Sequence, residues 1–158
     1  MVSFSRSISL SSPDQTAALG VEIGRLLTPG DVLLLEGDIG AGKTHFARSL
    51  IQSLLSEPED VPSPTFTLVQ IYDGTNCEIW HADLYRLTSP DEVVELGLTD
   101  AFTDAICLVE WPDRLAELAP ENALSMRFSM TATEGERTLE VSSGSEHWPQ
   151  RLKEILDV

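Results

Sequence analysis

The sequence predicts an α/β fold, a three-layer sandwich with a mixed, mostly parallel central sheet and a C-terminal antiparallel strand pair. Two short continuous apolar runs, at 32–35 and 106–109, are typical of strands that are buried on both faces of a sheet. Segments with helical periodicity lie between the predicted strands, which favours helices packed on both faces of one sheet. Two segments near the C-terminus, 124–130 and 137–141, predict the antiparallel pair.

The N-terminal part of the chain predicts a strand followed by a capped helix. Residues 4–10 alternate apolar and polar side chains, which predicts a strand. Ser12 is suited to cap the next helix, because Pro13 fits the first helical position and Gln15 completes a capping box. We expect this helix to run to about Leu27, where a Thr-Pro-Gly sequence ends it.

The remaining elements follow from apolar periodicity together with turn and cap signals. A helix is predicted from Lys43 to about Leu55, directly after a glycine-rich turn. Ser89 is suited to cap a short helix that Gly97 ends. The other predicted elements are strands at 66–72, 78–83 and 106–110, and helices at 112–118 and 148–156.

Composition favours one domain over residues 1–158, located in the cytoplasm. The chain has 158 residues, of which 42% are hydrophobic, and this suits a single core. No stretch approaches the ~18 consecutive apolar residues of a bilayer-spanning helix, and residues 1–10 carry no secretory signal. Cys77 and Cys107 stand in no metal-type spacing, which indicates reduced thiols.

The net charge limits what this chain can bind alone. It carries 26 acidic and 10 basic residues, which gives a formal charge of −16. Such a surface repels the phosphates of nucleic acids and anionic membranes. If nucleic acid is involved in the function, we expect a partner protein to supply most of the contact.

Residues 37–44, Gly-Asp-Ile-Gly-Ala-Gly-Lys-Thr, match the phosphate-binding pattern G-x-x-x-x-G-K-[ST] in full, between an apolar strand and an amphipathic helix. The glycines let backbone N–H groups approach phosphate oxygens, and the helix directs its positive end at the same anion. Lys43 is expected to reach the β- and γ-phosphates, and the Thr44 hydroxyl to bind Mg²⁺. The sequence thus predicts a P-loop NTPase-like domain. Because no guanine-reading Asn-Lys-x-Asp sequence is present, ATP is the expected nucleotide.

A P-loop needs a carboxylate that holds the metal or orders its waters, and two candidates end apolar strands. Glu110 follows four apolar residues, and Asp83 ends the looser segment 78–83. Either residue could instead be an ordinary exposed acid at a strand end. Spacing alone therefore leaves the roles of these two acids open.

Three other residues beside these motifs have two interpretations each. Thr65 lies in the loop where triphosphatases sense the γ-phosphate, so it could order a water or belong to a proline-stiffened turn. Trp111 could stack near the nucleotide or belong to the core. His81 could accept a proton, but a strand histidine is more often structural, and we favour that interpretation.

Four motifs occur in the order that is found in one bacterial family. They are the glycine-rich motif at 37–44, Ser-Pro-Thr-Phe-Thr-Leu-Val at 63–69, His-Ala-Asp-Leu-Tyr-Arg-Leu at 81–87 and Leu-Val-Glu-Trp-Pro at 108–112. Together they make the sequence resemble the TsaE (YjeE) family over residues 12–141. The resemblance implies a small ATPase required for N6-threonylcarbamoyladenosine (t6A37) modification of tRNA. It also implies that Mg-ATP is used to cycle a complex of the TsaB and TsaD proteins, and that tRNA is met only through that complex.

The resemblance implies roles for individual residues as well. Thr44 and Glu110 would be the Mg²⁺ ligands, and Asp83 matches an acid that the family needs for activity. With these assignments, Lys43, Asp83 and Thr65 are the expected catalytic residues. The expected nucleotide contacts are Gly37, Gly40, Ala41, Gly42, Lys43, Thr44, His45, Trp111, Asp113 and Arg137.

Two alternatives to an ATPase that acts on a protein complex stay open. A small-molecule kinase would share the P-loop but would need a basic lid, and only Arg114 and Arg127 lie where a lid is expected. A nucleotide-gated binding module with incidental hydrolysis has the same sequence features as the ATPase. Because no arginine is clearly placed to reach the γ-phosphate, we expect a low intrinsic ATPase rate.

Overall fold

The computed structural model describes residues 4–38, 41–62, 64 and 67–156, arranged around one sheet with helices on both faces. The strands are β1 (Phe4–Leu10), β2 (Val32–Gly37), β3 (Val69–Asp73), β4 (Glu78–Asp83), β5 (Ile106–Glu110), β6 (Leu124–Met130) and β7 (Arg137–Ser143). The helices are α1 (Pro13–Gly24), α2 (Lys43–Leu54), α3 (Pro90–Glu95), α4 (Leu98–Asp104) and α5 (His147–Leu156), with a 3₁₀ segment at Pro112–Leu118.

The sheet has a parallel centre and antiparallel edges. Its strand order is β1-β7-β6-β2-β5-β4-β3 across the described part of the chain. The central strands β6, β2, β5 and β4 pair in parallel, whereas β3–β4, β6–β7 and β1–β7 are antiparallel. Five of these seven strands consequently point the same way. The predicted mixed, mostly parallel sheet with a C-terminal antiparallel pair is confirmed.

Two hydrophobic layers fill the space between the sheet and its helices. On one face, side chains of α1, α2 and α5 pack against the strands, as Phe46 does in the cluster that contains Leu108. On the other face, α3 and α4 cover the sheet, and Val93 belongs to the cluster that contains Val109. Neighbouring residues of β5 thus point into opposite layers, which is why this strand reads as one continuous apolar run.

The predicted cap at the start of α1 forms, with one change of partner. The Ser12 hydroxyl accepts the N–H of Gln15 at 3.2 Å, as a capping box requires. The Gln15 side chain, however, accepts the N–H of Ser11 at 2.8 Å, one residue before the cap. The helix ends at Gly24, earlier than the predicted Leu27.

Two other sequence predictions are corrected. Helix α4 was not predicted, because it has no side-chain cap and its N-cap residue is Gly97, which adopts a left-handed φ of +82°. Strand β3 starts at Val69 and not at the predicted Phe66, which lies outside the described residues. Leu68 has a φ of +68°, a backbone conformation that a strand does not adopt.

The topology brings the ends of three parallel strands together at one edge. β2 lies beside β5, with Leu35 opposite Glu110, and β5 lies beside β4, with Glu110 opposite Asp83. The glycine-rich turn leaves the end of β2 at the same edge. None of the helices in the described ranges combines the length and apolar character that crossing a membrane requires.

Candidate functional site

The glycine-rich turn joins β2 to α2 through two unusual backbone positions. Gly37 has a φ of +138°, and a Cβ added there would lie 2.4 Å from the carbonyl oxygen of Phe128. Gly42 has a φ of +106° and is the N-cap residue of α2. Because glycine offers no side-chain acceptor, the first N–H groups of α2 stay available to an anion.

Lys43, the first residue of α2, is buried although its side chain ends in an amine. It is 4% exposed, and Nζ has no hydrogen-bond partner among the described residues. Nζ lies 3.8 Å from the centroid of the Trp111 ring, within range of a cation–π contact. Burial lowers the pKa of Lys43, against the opposing effect of four nearby carboxylates, of which Glu110 acts most strongly. A buried amine with unused donors suits a negatively charged ligand.

Glu110 ends β5 with a hydrogen bond to each of its carboxylate oxygens. The Thr44 hydroxyl donates to Oε1 at 3.0 Å, and Nε2 of His81 lies 2.6 Å from Oε2. Glu110 is 2% exposed, and His81 is fully buried. The contact therefore ties the start of α2 to both β5 and β4. A threonine hydroxyl beside a buried carboxylate is the oxygen pair with which P-loop proteins hold Mg²⁺, so these two residues fit that ion.

Asp83 ends β4 on the same side of the sheet as Glu110. It is 6% exposed, and its Oδ1 accepts the N–H of Tyr85 at 3.0 Å. Its own N–H donates to the carbonyl of Leu68 at 2.8 Å. The structure thus brings the two predicted acids together, but it gives them different contacts. Glu110 bonds to the P-loop threonine, whereas Asp83 bonds to the turn that follows its strand.

Trp111 belongs both to the core and to the site. It adopts a left-handed φ of +59°, a conformation that costs a non-glycine residue about 1–3 kcal/mol. Its ring lies against Lys43 and, at 4.8 Å between centroids, against Tyr85. It also packs against the core layer beneath α3 and α4. The two interpretations of Trp111 are therefore compatible.

A cleft of about 660 Å³ opens beside the glycine-rich turn. Its walls come from the end of β2, the segment after β5 and the end of β6. The lining includes Gly37, Ala41, Trp111, Asp113 and Phe128. Its volume falls in the range of small-molecule sites, roughly 300–1,000 Å³. Asp113, which was predicted from the resemblance, lies on this wall and forms an exposed ion pair with Arg114 at 3.3 Å.

The other predicted contacts differ in their placement. Arg137 donates from Nε to the carbonyl of Ala41 at 3.0 Å, which brings the start of β7 to the glycine-rich turn. His45 turns its ring away, because Nε2 lies 3.0 Å from a carbonyl oxygen at the start of α1. Only the backbone of His45 lies at the helix start. Gly40 and Thr65 lie outside the described residues.

His81 is the site residue that sequence reasoning set aside as structural. The structure places it in contact with Glu110, which is 29 residues further along the chain. No local motif signals this contact, because it depends on the pairing of β4 with β5. The alternation of β4 was the available signal, since it puts His81 on the same face as Asp83.

A family model described as "Threonylcarbamoyl adenosine biosynthesis protein TsaE" matches residues 10–139. This chain belongs to the TsaE family. The matched residues include Lys43, Asp83 and Glu110, so the site described above lies within the part that the TsaE family shares. The resemblance that was drawn from four motifs is confirmed.

Individual TsaE relatives align over most of the chain. The tRNA threonylcarbamoyladenosine biosynthesis protein TsaE of Rickettsia conorii is 42% identical over 110 residues, which cover 70% of this chain and 63% of that protein. The corresponding Treponema pallidum protein is 36% identical over 138 residues, 87% of this chain and 99% of that protein. The chain thus spans less than two thirds of the Rickettsia conorii relative's length.

A solved structure supports the fold. The crystal structure of Bacillus subtilis YdiB superposes on this chain with a TM-score of 0.76 at 28% sequence identity. The superposition covers 98% of this chain and 95% of that one. The strand order and both helical layers therefore have an experimental counterpart.

Proposed function

We propose that this chain is a Mg²⁺-dependent ATPase of low intrinsic activity that acts in the cytoplasm, as a single domain, in t6A37 modification of tRNA. In this proposal it uses ATP to cycle a complex of TsaB and TsaD. One observation carries the ATP proposal: at the start of α2, beside the Thr44–Glu110 pair, Lys43 presents a buried amine that has no hydrogen-bond acceptor among the described residues.

Phosphate oxygens fit the donors at this point of the structure. The N–H groups at the start of α2 and the Nζ of Lys43 converge there, and glycines at 37 and 42 keep Cβ atoms out of the turn. Arg137 braces the turn from β7 through the Ala41 carbonyl. The adjoining cleft has room for a base and ribose. We propose that Trp111 and Asp113 contact that part of the nucleotide.

The charges around Lys43 support a requirement for Mg²⁺. Four carboxylates, those of Glu110, Asp83, Asp38 and Asp113, act on the Lys43 amine. A triphosphate brought among so many acids is repelled unless a divalent cation offsets its charge. We propose that Thr44 and Glu110 hold that cation, which supplies charge neutralisation at the β- and γ-phosphates when bound.

Hydrolysis needs a group that orients water, and Asp83 is proposed for that task. It lies at the same strand edge as Glu110, and its Oδ1 accepts the N–H of Tyr85. Arg137 donates to the P-loop backbone, so its guanidinium is held at the turn. We therefore propose slow turnover by the isolated chain, because P-loop enzymes without an arginine on the γ-phosphate are accelerated in trans by on the order of 10³–10⁵.

The role in tRNA modification rests on family membership and on charge. The relatives carry the name tRNA threonylcarbamoyladenosine biosynthesis protein TsaE. The formal charge of −16 argues against direct binding of tRNA, because affinity for nucleic acid comes largely from lysine and arginine. We propose that this chain reaches tRNA only through TsaB and TsaD.

The decisive experiment compares ATP with a non-hydrolysable analogue in t6A formation by reconstituted TsaB, TsaD and this chain. We expect repeated turnover with ATP and at most one round with the analogue. Lys43→Ala should abolish the effect, and Lys153→Ala, at the only other lysine, is the matched control. Equal multiple turnover with both nucleotides would instead support a nucleotide-gated binding module.

A second measurement tests partner dependence. The isolated chain should hydrolyse ATP slowly and retain little tRNA at physiological salt, and adding TsaB and TsaD should raise both. Fast turnover alone, transfer of phosphate to a metabolite, or tight salt-sensitive tRNA binding by the isolated chain would contradict the proposal.

A further inference from the structure

The buried contact of His81 with Glu110 is a feature of the site to which the proposed function assigns no role. His81 is 0% exposed, and its Nε2 lies 2.6 Å from Oε2 of Glu110. The contact joins two neighbouring parallel strands at their carboxyl ends. It is shorter than the 3.0 Å bonds that Glu110 accepts from Thr44 and that Asp83 accepts from the N–H of Tyr85.

The two oxygens of Glu110 have different partners. Oε2 accepts from His81, and Oε1 accepts the Thr44 hydroxyl at 3.0 Å. A glutamate side chain has three rotatable bonds and several staggered conformations, so a carboxylate held at one oxygen loses most of its freedom to turn. With Oε2 fixed from β4, Oε1 stays directed at the first turn of α2.

We propose that His81 is the positioning residue of Glu110: its Nε2–H holds Oε2, so that Oε1 remains beside Thr44, where Mg²⁺ binds. Because an ionised carboxylate only accepts hydrogen bonds, Nε2 is the donor in this contact. This inference rests on the proposed function, since it assigns His81 to the Mg²⁺ site that the function requires. It adds a residue outside the P-loop that sets the orientation of the metal ligand.

The environment of His81 argues against a purely structural role. Nδ1 is buried and has no hydrogen-bond partner among the described residues. A buried polar atom without a partner costs about 1–3 kcal/mol, which an apolar side chain of similar size would avoid. The nearest residues of β4 that are equally buried, Ile79 and Ala82, are apolar. An imidazole at this position is thus less favourable for core packing than an apolar side chain, but it can hold a carboxylate by a hydrogen bond.

The size of the expected effect follows from comparable metal sites. Groups that orient a metal ligand through a hydrogen bond change metal affinity or activity by about 10–100-fold when they are removed. The change should fall on the step that involves Mg²⁺. Metal-free nucleotide binding is proposed to use Lys43 and the N–H groups at the start of α2, whereas the described hydrogen bond of His81 goes to Glu110.

The test measures the dissociation constant of a fluorescent ATP analogue with and without Mg²⁺. The ratio of the two constants is the affinity gain due to the metal. We expect His81→Leu to reduce this gain by about 10–100-fold at unchanged metal-free affinity. His81→Gln, which can place an amide N–H near the position of Nε2, should restore most of it. Ile79→Val, a conservative change at a fully buried position of the same strand, is the control and should leave the gain unchanged.

A second set of variants keeps the inference testable if His81→Leu does not fold. His81→Met, which also lacks a hydrogen-bond donor, should reduce the gain as His81→Leu does, and in a Glu110→Gln background it should not change the gain further, because His81 acts through Glu110. An undiminished gain in His81→Leu, or additive losses in the double variant, would overturn the inference. If Mg²⁺ did not increase the affinity of the unaltered protein for the nucleotide, both the proposed function and this inference would be contradicted. An intact gain in both the unaltered protein and His81→Leu would remove the inference alone.

Discussion

At the residue scale, the site combines groups that are unfavourable for the folded chain taken by itself. Burial lowers the pKa of Lys43, whose Nζ has no hydrogen-bond partner in the part of the chain that the structure describes, and Trp111 adopts a strained left-handed backbone. Nδ1 of His81 is a third buried atom without a partner among the described residues. Such concentrations of strain and unsatisfied polarity are typical of functional sites.

Replacing Lys43 should separate binding from stability. We expect Lys43→Met to abolish measurable ATP binding, since the phosphates lose their side-chain cation. The free energy of unfolding should stay the same or rise by up to ~1 kcal/mol, because a buried amine that has no hydrogen-bond partner among the described residues is removed. Urea titration and nucleotide binding measure the two effects, with Lys153→Met as the control. A loss of stability above ~2 kcal/mol would contradict the description of Lys43 as facing the ligand.

Substitutions of the two strand-end acids, Glu110 and Asp83, should cause different defects. Glu110→Gln should weaken binding of Mg-ATP more than binding of metal-free ATP, because Glu110 contacts Thr44. Asp83→Asn should leave both affinities close to normal and mainly slow hydrolysis. Nucleotide binding and turnover, each with and without Mg²⁺, distinguish the two variants. Identical defects in all four measurements would rule out this division of roles.

The local motif was sufficient to locate Lys43 and Thr44, but it was not sufficient for His81. The functional groups of a P-loop come from eight consecutive residues, so their spacing in the sequence determines their arrangement in space. The contact of His81 with Glu110 depends instead on which strands are neighbours and in what register. Two acids at the ends of apolar strands were recognisable, whereas their different partners required the structure.

At the element scale, the approach of β2 to β6 depends on one glycine. A Cβ at Gly37 would lie 2.4 Å from a backbone oxygen of β6, and its φ of +138° disfavours other residues. We expect Gly37→Ala to lower the free energy of unfolding by more than ~2 kcal/mol. Gly135→Ala is the control, because a Cβ there meets only Pro13 at 3.8 Å and its φ of +81° costs about 1–2 kcal/mol. Urea titration of both variants decides, and equal losses would contradict a steric role of Gly37.

Cys107 of strand β5, which is buried on both faces, should make the free energy of unfolding depend on pH in the alkaline range. Burial raises the pKa of Cys107 from 9.0 to about 12. Between these values the unfolded chain releases the thiol proton and the folded chain keeps it, so stability that is present below pH 9 is lost as the pH rises. From pH 8 to pH 10, the unaltered protein should lose about 1.4 kcal/mol more than Cys107→Ala. Urea titrations at both pH values test this, and parallel losses would contradict it.

The strands were more predictable than the short helices. The apolar runs of β2 and β5 are visible in the sequence because both faces of these strands are buried. The seven-residue helix α4 follows a left-handed glycine and has no side-chain cap, so its sequence contains no cap signal from which it could be predicted. The predicted start of β3 was wrong because Leu68 has a positive φ, which a strand residue does not adopt. The N–H of Leu68 donates to the carbonyl of Pro64.

At the scale of the whole molecule, one arginine connects the C-terminal helix to the start of the central strand. Arg151 of α5 donates to Oδ1 of Asp31 at 3.0 Å and to the carbonyl of Leu26, and its guanidinium lies 4.2 Å from the centroid of the Trp148 ring. Asp31, directly before β2, is 8% exposed. Arg151 thereby holds α5 to the start of β2, although Arg151 and Asp31 are far apart in the sequence.

Removing this arginine should be costly. We expect Arg151→Met to lower the free energy of unfolding by about 3 kcal/mol, since it leaves the Asp31 carboxylate buried without its charge partner. Arg127→Met is the matched control: its pair with Glu36 is 62% and 39% exposed and should contribute less than ~1 kcal/mol. Thermal or urea unfolding compares the two. A similar small loss in both variants would show that the Asp31 pair is screened like a surface pair.

The strand order also determines when the site can exist during synthesis. Strand β2, which carries the glycine-rich turn, takes its place between β5 and β6, and β1 pairs with β7 through contacts such as Phe4 with Ser143. A ribosome releases these partners in the order of the chain, so the first strands leave it long before the strands that will flank them. Pairings of such wide sequence separation form slowly because a long loop must close first. The nascent chain thus contains the glycine-rich turn before it contains both of the strands that flank β2 in the folded sheet.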